Sequence, residues 1–207
     1  MVKSLKWFGI IFAAGLFTFL VYDHVLKDRL FPKRFGEVAE GVYRSGQIHP
    51  RLIEQTLADK QIGKVIDLRY WEELPEMLAE REAISKLGIT GERYPLNGNG
   101  TGNVEHYIAA LLSLHESVQA GEPVLVHCAA GSQRTGGVFA AYRTLVQGVP
   151  AEQAVAEMQQ YDWDPKKDQV LLDYLNQHIG RIALELSLAG VIAEVPAQLP
   201  VFVNPLN

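Results

Sequence analysis

A chain of 207 residues, 48% hydrophobic and 21% charged, is long enough for one globular domain and an appendage. Its net charge of −5 excludes general nucleic-acid binding, since the only basic run flanks an apolar N-terminus. One cysteine in the whole chain excludes an intrachain disulfide and leaves nothing for a cysteine-built zinc cluster.

In chain order, the first feature is an uncharged stretch over residues 7–22, preceded by Lys3 and Lys6. As a helix it covers ~24 Å, somewhat less than a ~30 Å hydrocarbon core. Leu5, Val25 and Leu26 lengthen it, and Trp7 and Tyr22 put aromatic rings near its ends. A cleaved signal peptide would follow the apolar run with small residues, whereas Phe19, Leu20, Val21 and Tyr22 lead into Asp23 and His24. The stretch is apolar on every side, so the expectation is one uncleaved N-terminal transmembrane helix rather than a buried core helix. Lys27, Arg29, Lys33 and Arg34 after the stretch would keep the domain cytoplasmic by a positive-inside count. A short anchor of signal type sends the following domain outward, and the expectation leans to the periplasmic side of a bacterial inner membrane.

Residues 36–47 then read as a strand or β-hairpin. Residues 49–61 read as an amphipathic helix with Leu52, Ile53, Leu57 and Ile62 on one face. A short buried strand over 64–69 precedes a helix over 74–87, with Pro75 in its first turn and Gly88 closing it. A third strand over 90–96 leads into a glycine-rich loop, 97–103, and a helix over 106–120. A strand over 124–126 is followed by helices over 134–147, 151–161 and 167–188. The tail from 194 lacks periodicity and reads as a surface strap. Three regions result: anchor and juxtamembrane segment 1–34, catalytic-type domain 35–190, and tail 191–207. Alternating strands and helices imply an α/β fold with a central, mostly parallel sheet of four to five strands flanked by helices. In such sheets ligands bind beyond the carboxyl ends of the strands. That rule places the strands 124–126 and 65–68 and the loop after Leu96 around one crevice.

The stretch from Pro123 to Gly137 brings three chemical features together. A loop entering a helix N-terminus gathers backbone N–H donors for an anion. The same setting lowers the pKa of a thiol from its free value of about 8.5. Arg134 adds a planar fork of donors matched to two phosphate oxygens. Alone, a Cys after a Val/Leu strand is most often a small core residue. With the cradle and the fork beside it, Cys128 is placed for attack on a phosphate ester.

The residues His127-Cys128-x-x-Gly131-x-x-Arg134-Thr135 resemble the active-site loop of cysteine-dependent protein tyrosine and dual-specificity phosphatases. Residues 41–47 and 65–69 look like the opening strands of bacterial dual-specificity-type members, so the resemblance spans about 35 to 174. It implies a phosphotyrosine protein phosphatase-like fold and a two-step reaction needing neither metal nor cofactor. Cys128 would attack phosphorus while Arg134 and the loop Ala129, Ala130, Gly131, Ser132, Gln133 and Arg134 hold the other oxygens; water would hydrolyse the phosphocysteine. His127 would hydrogen-bond backbone and orient the loop, and Thr135 would donate its hydroxyl to the thiolate.

Two customary places for the general acid hold no carboxylate. The loop after the third strand offers Asn97, Asn99, Thr101 and Asn103, and Gln133 stands immediately before the arginine. Asp67 at a strand end, Glu72 or Glu73 in the next loop, and Asp162 or Asp164 in a turn are the replacements. Their bland alternatives are a structural strand-end Asp, a solvated face and a helix-ending cap. Ala129, Ala130 and Ser132 add no charge to the loop, which favours a monophosphate. Three functions stay open: a phosphatase acting on a phosphorylated protein or a small phosphoester; a catalytically weak or inactive phosphate-binding module; and a lipid-phosphate phosphatase for phosphoinositide or phosphatidylglycerophosphate-like lipids.

Overall fold

The structure is a computed structural model that describes residues 27–206. The expected anchor over residues 7–22 lies outside the described residues. Among those described, no helix is long and apolar enough to cross a membrane.

A short helix α1 (Lys27–Leu30) leads into the hairpin β1 (Gly36–Ala39) and β2 (Val42–Ser45), which turns through Gly41 at φ 70. Helix α2 (Pro50–Asp59) starts on a proline, and His49 Nδ1 accepts the Arg51 N–H ahead of it. Strand β3 (Lys64–Asp67) is followed by α3 (Pro75–Leu87), which ends at Gly88 in the left-handed conformation, and by β4 (Thr90–Arg93). Helix α4 (Val104–Ala120) begins two residues before the expected start because the Asn103 side chain accepts the Glu105 N–H as its cap. Strand β5 (Val124–His127) leads into α5 (Gln133–Leu145), α6 (Ala151–Gln160) and α7 (Gln169–Leu188).

The five strands form one mixed sheet in the order β1-β2-β5-β3-β4, parallel except for the β1–β2 hairpin. Successive side chains of a strand face opposite ways, and here both faces are covered. Val42, Ile66, Val124 and Val126 join the core beneath α4, α5 and α7. Tyr43, Val65 and Leu125 join a smaller core with Ile53 and Leu57 of α2 and Ala83 of α3. Burial on both faces explains why β5 reads as an unbroken apolar run.

The tail crosses the α7 side as a strap, but with an anchor. Phe202 is buried, and the Asn176 amide both donates to its carbonyl and accepts from its N–H.

Candidate active site

Parallel register brings the carboxyl ends of three adjacent strands level: Ser45 pairs with His127, and His127 with Asp67. The loop leaving β5 therefore emerges between the loops leaving β2 and β3. Gly131 turns that loop at φ 80, and a Cβ there would stand 2.4 Å from the Gly46 nitrogen, so only glycine fits.

The Cys128 sulfur accepts the Gly131 N–H at 3.1 Å. Burial pushes the thiol up, but the Thr135 hydroxyl, the Arg134 guanidinium and the N–H groups of Thr135 and Gly131 outweigh it. The net value lies below that of an ordinary thiol. The Thr135 hydroxyl has no other partner among the described residues. Arg134 lies half-buried with one Nη 3.5 Å from the Leu68 carbonyl. Together with Ala129, Gln47, Tyr70 and Glu72 it lines an open cleft of about 260 Å³. Ser132 is buried, and the Gln133 amide donates to Asp168 Oδ2 at 3.0 Å.

The loop carbonyls are held from outside. Ala129 O accepts Gln47 N–H at 3.0 Å, Ala130 O accepts Arg34 Nη1 at 2.7 Å, and Gly131 O accepts Arg44 Nη2 at 2.9 Å. A trans peptide points its C=O and N–H in opposite directions, so three anchored carbonyls turn the following N–H groups to the other side of the loop. Arg44 is almost wholly buried, with its guanidinium 3.7 Å from the Tyr161 ring centre, and burial brings its pKa down to about 10.

His127 differs from the expectation of a backbone hydrogen bond. Its Nε2 lies 3.1 Å from Glu80 and 3.9 Å from Asp67, and these carboxylates overcome the effect of burial and raise its pKa.

The three aspartates expected as proton donors have other partners. Asp67 is buried and bonded to Arg69 at 2.8 and 3.0 Å and to Arg93 at 3.0 Å. Burial would raise its pKa, yet His127, Arg69 and Arg93 hold it below the usual carboxylate range. Asp164 caps the Lys166 N–H and pairs with Lys167, which lowers its pKa, as its bland alternative anticipated. Asp162 accepts from Arg34 Nε at 2.7 Å. Of the carboxylates weighed from sequence, Glu72 lines the cleft with Arg134 and Glu73 does not.

Asp67, Glu80 and His127 bring ligand-type atoms within 4.8 Å of one another. Arg69 bridges both carboxylates there, so the chain supplies the cluster's cation itself. A hollow of about 310 Å³ beside this cluster, lined by Trp71 and Arg93, includes neither Cys128 nor Arg134.

Sequence reasoning missed Arg34, Arg44, Gly46 and Gln47 as parts of the site. The resemblance covered 41–47 as strand, but nothing local to those residues says that their donors reach the loop after β5.

A thiol with a lowered pKa, an arginine fork and an inward-turned set of N–H groups meet at the carboxyl edge of a mostly parallel sheet, the arrangement of a cysteine-based phosphate-ester site. Residues 40–148, more than half of the chain, match the family model described as "Polymorphic toxin system, DSP-PTPase phosphatase". The chain belongs to this family. It is 41% identical over 63 residues to the dual specificity protein phosphatase TpbA of Pseudomonas aeruginosa, a match covering 29% of the chain and 29% of that relative. The crystal structure of P. aeruginosa TpbA in complex with pTyr superposes with a TM-score of 0.60 at 20% identity, covering 74% of this chain and 90% of that one. A crystal structure of Tk-PTP gives 0.61 at 25% identity, covering 72% and 97%.

Proposed function

We propose that the protein is a phosphomonoester hydrolase of protein tyrosine or dual-specificity type, working through a phosphocysteine. The observation that carries this reading is the Gly131 N–H on the Cys128 sulfur at 3.1 Å, beside Arg134 at the cleft. Cys128 forms a bond to phosphorus as the ester oxygen departs, and Arg134 with the loop N–H groups holds the remaining oxygens. Glu72, from the cleft wall, gives its carboxyl proton to that oxygen. As carboxylate it then takes a proton from the water that releases inorganic phosphate and restores the thiolate. The phosphotyrosine bound by TpbA supports an aryl monophosphate as substrate. The apolar stretch over residues 7–22 tethers the domain, residues 35–190, to a membrane, on its periplasmic side. Membrane fractionation of the full chain against one lacking residues 1–26 tests the tether.

A second reading, a phosphate-binding module with weak turnover, draws support from the depressed pKa values of Asp67 and Asp164. One assay separates the two. The full-length chain is expected to hydrolyse para-nitrophenyl phosphate in chelator, and Cys128→Ser to abolish it. Glu72→Gln should slow alkyl phosphates by about 10²–10⁴-fold and nitrophenyl phosphate far less, because a phenolate leaves without a proton. Turnover that survives in Cys128→Ser sinks the nucleophile; binding of phosphate without turnover in the wild type selects the module.

A further inference from the structure

The loop that carries Cys128 is fastened at its Ala130–Gly131 peptide from both ends. On the oxygen side Arg34 Nη1 donates to the Ala130 carbonyl at 2.7 Å; on the other side the Gly131 N–H meets the sulfur at 3.1 Å. A planar trans unit cannot turn one of these groups without turning the other. A charged donor on the carbonyl also polarises the unit, which strengthens its N–H toward an anion.

Arg34 is itself aimed. Its Nε donates to Asp162 Oδ2 at 2.7 Å, so the guanidinium spans the gap between the loop and the turn after α6. Both partners adopt left-handed backbone conformations, φ 46 at Arg34 and φ 61 at Asp162. Such angles are uncommon for side-chain-bearing residues and persist where surrounding contacts hold them. The two bent segments meet at this bridge, and the neighbouring Lys33 carbonyl accepts the Gly46 N–H at 2.7 Å on the same side. Arg34 and Asp162 both fall outside the residues matched by the family model.

We propose that Arg34 is a positioning residue for the nucleophile: it fixes the Ala130–Gly131 peptide so that the N–H stays on the Cys128 sulfur, and Asp162 holds Arg34 in place. The proposal rests on the reading of Cys128 as nucleophile, but its test does not depend on turnover. Cys128 is the chain's single cysteine, so alkylation by iodoacetamide reports on one thiol.

In the full chain, Arg34→Ala should move the midpoint of the alkylation-versus-pH curve upward by about one unit, a roughly tenfold loss of thiolate below it. Arg34→Lys, which keeps one donor for the carbonyl, should recover part of that shift. Asp162→Asn should shift the midpoint in the same direction by less. A wild-type midpoint in folded Arg34→Ala, judged by circular dichroism, overturns the proposal. Should Arg34→Ala fail to fold, wild-type midpoints in both Arg34→Lys and Asp162→Asn overturn it equally. Turnover that survives Cys128→Ser, with the midpoint shift intact, would defeat the phosphocysteine reading alone and leave Arg34 as the residue that sets the Gly131 N–H on the sulfur. Cys128-dependent turnover with no shift would defeat only the role of Arg34.

Discussion

His127 stands next to the sulfur in sequence, yet its side chain faces a buried set of opposite charges rather than solvent or substrate. Because Glu80 and Asp67 raise its pKa, its charged form stabilises the fold. That contribution is complete below the unfolded value of about 6.5 and is lost as pH rises through the higher folded value. His127→Asn should therefore cost about 3–5 kcal/mol at pH 6, the range for breaking a buried ion pair. The gap from wild type should narrow by pH 10, as urea unfolding at the two pH values would read. A gap that stays constant would mean the imidazole is neutral throughout. At this scale Cys128, Arg134 and Thr135 were legible because their chemistry is set by neighbours within seven residues of one another. Arg34 and Arg44 were not, since they reach carbonyls 96 and 87 positions away.

Elements decide how those distant groups arrive. The parallel pairing of β2 with β5 sets Ser45 opposite His127, so the chain leaving β2 runs directly along the phosphate loop. Gly46 makes that approach possible: a Cβ on it would lie 2.6 Å from the Ala130 oxygen. Gly46→Ala should push on the carbonyl that Arg34 holds, lowering kcat/KM for nitrophenyl phosphate by at least tenfold. Circular dichroism should be unchanged, because the strain falls on a loop outside the sheet. From residue 35 onward the sequence pattern found every helix and strand, with departures at their ends, while the short helix α1 was not expected. The strand expected over 90–96 is regular only to Arg93, although the N–H groups of Tyr94 and Leu96 still donate to the Asp67 and Leu68 carbonyls at 2.9 and 3.1 Å. The helix expected from 167 starts at Gln169, because Asp164 first closes a turn with the N–H groups of Lys166 and Asp168. Apolar spacing carries no information about such local competition.

Across the whole molecule, the sheet is closed by segments that flank it in sequence. The tail over 191–206 reads as an aperiodic strap, yet Phe202 is 2% exposed and packs in the larger core. A single aromatic anchor produces no period, which is why it escaped notice. Phe202→Ala should destabilise the protein by about 3–5 kcal/mol in urea unfolding, as for other buried aromatic truncations. Loss of under 1 kcal/mol would show the strap to be passive.

The bridge from Arg34 to Ala130 also bears on where the polypeptide is trimmed for expression. The stretch recognisable from relatives starts at residue 40, and the globular region read from composition starts at Phe35. A recombinant fragment begun at either position would omit the guanidinium and keep every residue of the recognisable motif. Its measured turnover would then understate that of the intact chain, and the shortfall would be blamed on the motif.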